Sequence, residues 1–336
     1  MKKTYSKILI SIFSLLAFQT PQTLLAQNEI LDKCNNLKDA VDFKSCISSR
    51  LSRKIAFNND SYDQALSFFN EGDSLNAIKS INSFLKKNPK SKEGLLLRAT
   101  INIFEFSKYN EAIEDIDIAI DIDNEYAYAH ALKASVFYFD LGGKLSKSLK
   151  YLEEGLKLSP EDPHINFIAG DIYFDNGYVL LDSDKKDLAL KSFEEASKSF
   201  EKTIANIELA SYKNPIAEST FPLGVSYTSN ALLGDTKFEL FLLYRDKKER
   251  QIVKKYQQES LDYYTKAISM APSQEEVEKI ELDNDIDLIS PADLYRARGN
   301  VYSWMNKKFK QACSDWKVSK KLGDKEAQKF YRESKC

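Results

Sequence analysis

Four cysteines, two histidines and a run of alternating aspartates are the residues of this 336-residue chain whose types could carry chemistry by themselves. Cys34 and Cys46 are 12 positions apart. On one continuous helix that separation is about 18 Å, far beyond disulfide reach, so a bridge requires a turn, for which Asn35-Asn36 serves. Cys313 and Cys336 flank Leu322-Gly323-Asp324, a hairpin geometry in which a link would pin the last helix. Two reduced, buried pairs are the alternative. His130 and His164 fall at no zinc-ligand spacing from any cysteine, so no metal is expected. Asp283, Asp285 and Asp287 alternate as in a calcium loop, but the glycine due next is Leu288 and the closing glutamate is Leu294. With Glu275, Glu276, Glu278 and Glu281 against the single base Lys279, residues 273–291 are expected to form a solvated acidic linker. No glycine-rich phosphate loop, glycine-flanked serine elbow or histidine pair at helical spacing occurs, so neither an enzyme nor a cofactor is expected.

The elements that would position any site come from a different pattern, one of small and large residues. Ala77, Ala112 and Ser148 are 35 and 36 residues apart, and each is followed 12 residues later by a helix-stopping position, Pro89, Asn124 and Pro160. A large residue lies four on from each, and another residue of the same face seven on: Ile81 and Phe84, Ile116 and Ala119, Leu152 and Gly155. Upstream stand Ala65, Ala99 and Ala134. Offsets of four and seven share one helix face, so each set makes a notch flanked by knobs that a second helix must cover. Gly72-Asp73, Ser107-Lys108-Tyr109-Asn110 and Leu141-Gly142-Gly143 supply the turns.

This pattern resembles the tetratricopeptide repeat, a helix-turn-helix unit of about 34 residues. The resemblance implies an all-α fold, a right-handed solenoid of helical hairpins with some elongated helices and a C-terminal capping helix. Three units are expected over residues 57–160. Two elongated ones follow over 161–272, with Ala169-Gly170-Tyr173 and Leu223-Gly224-Tyr227 opening their first helices. There Ala217–Tyr244 and Lys247–Met270 are expected as long antiparallel helices that project beyond the solenoid, with a similar one over Lys185–Ala210. The last unit, with its cap, takes 292–336, where Arg298, Gly299, Tyr302, Ala312 and Trp316 match.

A basic start, an apolar run from Ile8 to Phe18 and a small residue at Ala26 make residues 1–26 an expected signal peptide cut before Gln27. The run is short for a membrane span, which takes about 20 residues. The protein is therefore expected in the periplasm or outside the cell, without stable membrane insertion, and residues 27–56 as a helical cap holding the first cysteine pair. With 48 basic and 50 acidic residues the chain carries no nucleic-acid footprint. Its 20 Phe and 18 Tyr suit a packed helical protein.

In the family, first helices line a concave face that holds peptides. Carried over residue by residue, that face has Tyr62 and Phe69 in the first unit, Leu96 and Phe104 in the second, Tyr128, Tyr138 and Phe139 in the third, and Phe167, Asp171 and Phe174 in the fourth. Arg296 and Asn300 are the only residues resembling the family's carboxylate grip. A scaffold that binds a protein or peptide in an aromatic groove is the leading expectation. The others are a structural subunit of an envelope or secretion assembly, working through its long helices, and a binder of glycans or hydrophobic ligands.

Overall fold

The computed structural model describes residues 62–140, 145–207, 224–284, 288–305 and 307–336. The signal segment, the 27–56 cap with Cys34 and Cys46, the Gly142-Gly143 turn and residues 217–223 lie outside them. Among the described residues every regular element is a helix. Six antiparallel hairpins follow one another: α1 (Tyr62–Asn70) with α2 (Ser74–Lys87), α3 (Lys92–Phe106) with α4 (Tyr109–Ile122), and α5 (Ala127–Ser135) with α6 (Leu145–Leu158). Next come α7 (Pro163–Asp182) with α8 (Lys186–Ile207) and α9 (Val225–Asp246) with α10 (Arg250–Met270). After α11 (Gln274–Asn284) the sixth pair is α12 (Pro291–Ser303) with α13 (Phe309–Lys321), closed by α14 (Lys325–Glu333).

Local chemistry starts these helices. Asp73, Ser91, Asp162 and Asp324 each accept a backbone N–H of the turn they open, and Ser290 with Asp293 closes a reciprocal capping box. Pro163 and Pro291 occupy first-turn positions where a missing N–H costs nothing. Helices α2, α4 and α6 stop just before Pro89, Asn124 and Pro160.

Each helix packs mainly on its sequence neighbours, and the apolar interior is a chain of adjoining clusters rather than one centre. That is the quasi-one-dimensional build of a solenoid. The notch residues Ala65, Ala77, Ala99, Ala112, Ala134 and Ser148 are all buried. Where the notch is a serine, its hydroxyl donates to a facing carbonyl: Ser148 Oγ to Ala134 at 2.7 Å and Ser260 Oγ to Gly234 at 2.8 Å.

A cationic clamp recurs beside the notch. Arg98 makes a two-pronged pair with Asp115 of its own hairpin, at 2.7 and 2.6 Å, and donates to Asn82 of the preceding hairpin at 3.0 Å. Arg298 repeats this with Asp315, at 2.8 Å on both prongs, and Thr265 at 3.1 Å. Lys133 varies it, paired with Asp117 of the preceding hairpin and lying 4.4 Å over the Tyr151 ring of its own. These equivalent residues make the repeat visible in polar contacts as well as in packing.

The structure adds a notch residue in the fifth hairpin and corrects one expectation. The fifth hairpin's notch glycine is Gly234, over which the Tyr264 ring closes; a Cβ there would meet ring atoms at 2.7 Å. Gly224 opens α9 with φ 83°. The acidic segment is not simply a linker: Ser273 and Glu276 form a reciprocal capping box, with 2.8 and 3.2 Å bonds, that starts helix α11, and Val277 is buried. Helix α11 stands aside from the stack, since α10 packs directly on α12.

Candidate functional site

The eight aromatic residues carried over to the groove divide by burial. Phe104 and Phe139 are exposed, at 55% and 41%. Tyr62, Tyr138 and Phe174 are half-buried. Phe69, Tyr128 and Phe167 are buried, a correction to their expected place on an open face. Phe69 and Tyr128 belong to the apolar core of the first hairpins, and on the long α7 a second-helix ring covers Phe167, which meets Phe200 at 5.7 Å. Phe174 is likewise enclosed, its ring within 5.1–6.5 Å of Tyr178, Phe193 and Phe200. No continuous aromatic stripe results.

What the first helices do bring together is a row of carboxyl and phenol groups. Asp171, Asp175 and Tyr178 stand four and three residues apart on one face of α7, and Asp235 and Glu239 four apart on α9. The last turn of the first helix in the third hairpin, Val136–Asp140, widens into a π-helical turn that carries Tyr138 and Phe139, their rings edge to face at 5.0 Å. Tyr138 faces Asp175 and Asp171 across the gap to α7. Tyr178 donates to Glu239 of α9 at 3.2 Å, and Tyr264 donates to Asp235 at 2.5 Å. The row therefore runs over three successive first helices.

Its electrostatics are set by desolvation. Burial, then the neighbouring Asp175, pushes the Asp171 carboxyl up to about 7. Burial pushes Asp235 up to about 6 against the Tyr264 hydrogen bond and the Arg296 charge, which favour ionisation. Glu239 is pushed to about 6 by burial, despite its bond from Tyr178. Burial and the adjacent carboxylates hold the Tyr138 and Tyr178 hydroxyls well above their ordinary range. Among the described residues, no hydrogen bond or ion pair engages Asp171.

Arg296 does not supply a free cation to this face. Its guanidinium donates to Asp293 at 2.7 Å, Asp324 at 2.7 Å and Glu326 at 2.9 Å, tying α14 to α12. Asn300 accepts from Trp316 Nε1 at 3.0 Å. Both residues of the expected carboxylate grip are thus committed to holding the last hairpin. Cys313 and Cys336 are joined, with Cα atoms 5.5 Å apart, so the chain's end is pinned to α13. Among the described residues no cluster of His, Cys, Asp and Glu is arranged to hold a metal ion, and no helix is long and apolar enough to cross a membrane.

Repeated hairpins, small notch residues and the recurring clamp decide the architecture. The fold is that of tetratricopeptide repeats. No protein-family model matches the chain, and no curated protein matches it. Among solved structures it is similar to the MamA protein, at 17% identity over 70% of this chain and 97% of that one, with a TM-score of 0.37. It is similar to a tetratricopeptide repeat protein from Parabacteroides merdae, at 16% identity over 84% and 98%, TM-score 0.35. It is also similar to the human IFIT1 dimer with m7Gppp-AAAA, at 13% identity over 95% and 73%, TM-score 0.42.

The sequence places Asp171 on the groove, where the Asp171–Asp175 pair reads as ordinary helix-surface acids, and it does not single out Asp235, Glu239 or Tyr178. The available signal was the four-residue spacing of the acids on two first helices. Acids at that spacing are ordinary on solvated helix surfaces, and only the partial covering of Asp171, Asp235 and Glu239 sets them apart, Asp175 being exposed.

Proposed function

We propose that this protein is an exported, non-enzymatic repeat scaffold whose first-helix face holds a cationic segment of a protein or peptide partner. The observation that carries this is the row Asp171, Asp175, Asp235 and Glu239, three of whose carboxyls have their proton affinity raised by desolvation. Carboxyls crowded into a half-dry face are costly as anions, and a lysine or arginine laid along them relieves that cost. Tyr138 and Phe139 add ring surface at one end of the row, suited to cation–π contact with the same side chains. A polyanion is repelled by this face. Export rests on the signal-like residues 1–26 and accords with the Cys313–Cys336 bridge, a bond that oxidising compartments maintain.

Titrating a fluorescent Lys/Arg-rich peptide and a Glu-rich peptide of equal length tests the reading by anisotropy. The basic peptide binds and the acidic one does not. Asp171→Asn with Glu239→Gln weakens binding about tenfold or more, at unchanged helical circular dichroism, in line with charge pairs that are largely desolvated. Equal affinity of variant and parent, or binding of both peptides alike, refutes it.

A further inference from the structure

The turns that join first to second helices in the fifth and sixth hairpins carry a second, oppositely charged surface. In the sixth, Trp304 and Phe309 are exposed, at 53% and 46%, on either side of Lys307 and Lys308. Lys310 follows, also exposed. In the fifth, Lys248 and Arg250 are exposed at the tip between α9 and α10. The two turns are joined: the Arg245 guanidinium lies 4.3 Å over the Trp304 ring, and Phe241 meets that ring at 6.3 Å.

Two acids nearby are already paired. Asp187 binds Lys247 at 2.9 Å, and Asp246 binds Lys186 at 3.6 Å and Arg245 at 3.5 Å, while Glu249, and Asp182 and Asp184 of the preceding hairpin's turn, make no ion pair among the described residues. Among the described residues no ion pair engages Lys248, Arg250, Lys307, Lys308 or Lys310. Lys248 and Lys307 also stand in left-handed backbone, at φ 62° and 65°, where Gly72 and Gly323 serve after other helices. A long cationic side chain thus occupies positions that the backbone would leave to glycine.

We infer that this edge is a peripheral docking surface for an anionic phospholipid bilayer. Trp and Phe partition to the headgroup boundary, where an amphipathic ring finds both apolar and wet surroundings. Surrounding lysines gain from the negative surface potential. Two large exposed rings set among five unpaired cations fit that boundary better than they fit a soluble polyanion, which would use the charges and leave the rings in water. The attachment is by side chains at two turns and involves no spanning helix.

Co-sedimentation of the purified protein with vesicles of phosphatidylcholine alone, or of equimolar phosphatidylcholine and phosphatidylglycerol, tests this. The protein pellets with the anionic vesicles only, and its tryptophan emission shifts to the blue. Because Trp316 is buried and Trp304 exposed, that shift reports Trp304. Replacing Lys307, Lys308 and Lys310 together by Gln weakens association on the order of a hundredfold, as roughly fivefold per lysine implies. Trp304→Ser abolishes the shift and weakens association. Unchanged circular dichroism confirms that both exposed variants fold. No pelleting with anionic vesicles overturns the inference. So does pelleting that neither variant weakens, or binding to heparin or an oligonucleotide without vesicle binding, which would make the edge a polyanion site.

Discussion

At the scale of the residue, side chains of the same type have quite different roles, and surroundings decide which. Arg296 and Arg298 are two positions apart, yet one ties down the capping helix and the other couples the fifth and sixth hairpins. Asp315 is buried, and its carboxylate is paired with Arg298. Removing only the arginine leaves an uncompensated carboxylate, which for a buried pair costs about 3 kcal/mol. Arg298→Ala is therefore expected to lower the urea midpoint substantially. Asp315→Ala added to it recovers part of the loss, with a coupling of about 1 kcal/mol or more in a double-mutant cycle. Independent, additive effects would show that the clamp contributes only its separate contacts. Arg298 was legible as a match to the repeat, because it precedes a notch glycine. Its partners were not, since Thr265 lies 33 positions away on another hairpin.

At the scale of the element, the long helices keep repeat register through a paired insertion. In the fourth and fifth hairpins the notch glycines Gly170 and Gly234 lie under Phe200 and Tyr264, each 30 residues on, whereas Gly299 and Trp316 of the sixth are 17 apart. Helices of 20–22 residues replace those of 13–15, so each partner gains about two turns, some 10 Å, and the crossing stays in phase. A whole number of turns on both helices is what permits this. The sequence pattern Leu223-Gly224-Tyr227 marked the start of the fifth first helix and left its notch unassigned, because periodicity along one helix cannot say how an insertion is shared between two. The expected long pair and the small residues of the first three hairpins were legible, since their spacing there is undisturbed. Gly234→Ala tests the register. Its Cβ would meet the Tyr264 ring at 2.7 Å, so the variant should lose about 1–3 kcal/mol in thermal or urea melts. Gly224→Ala places a Cβ in open space but forces alanine into φ 83°, ψ 138°, a region that is essentially glycine's alone, at about 1–3 kcal/mol through backbone strain rather than packing. A Gly234→Ala variant as stable as the parent would show that the Tyr264 ring does not close over Gly234.

At the scale of the whole molecule, an acidic face and a basic, aromatic edge coexist on a chain whose net charge is only −2. Summed composition hides such a separation, which is why the sequence offered no charge-based partner. The two surfaces are separable by pH. On the first-helix face, carboxyls that titrate near 3.8–4.5 when unperturbed are held at about 6–7. The folded state therefore binds their protons more tightly than the unfolded one. The stability they contribute is fully present below about pH 4 and is lost as pH rises through 6–7, where they ionise at a desolvation cost. A bound cation favours the ionised form, so basic-peptide affinity should rise severalfold between about pH 5 and 8, with protons released on binding. The basic edge uses none of these carboxyls, so vesicle association there should stay flat over the same range. Parallel titrations with peptide and vesicles across this range decide the matter. If both rise together, one surface serves both ligands; if peptide affinity stays flat while Asp171→Asn still weakens it, the cation meets a carboxylate that is already ionised, and relief of desolvation is not what draws it to this face.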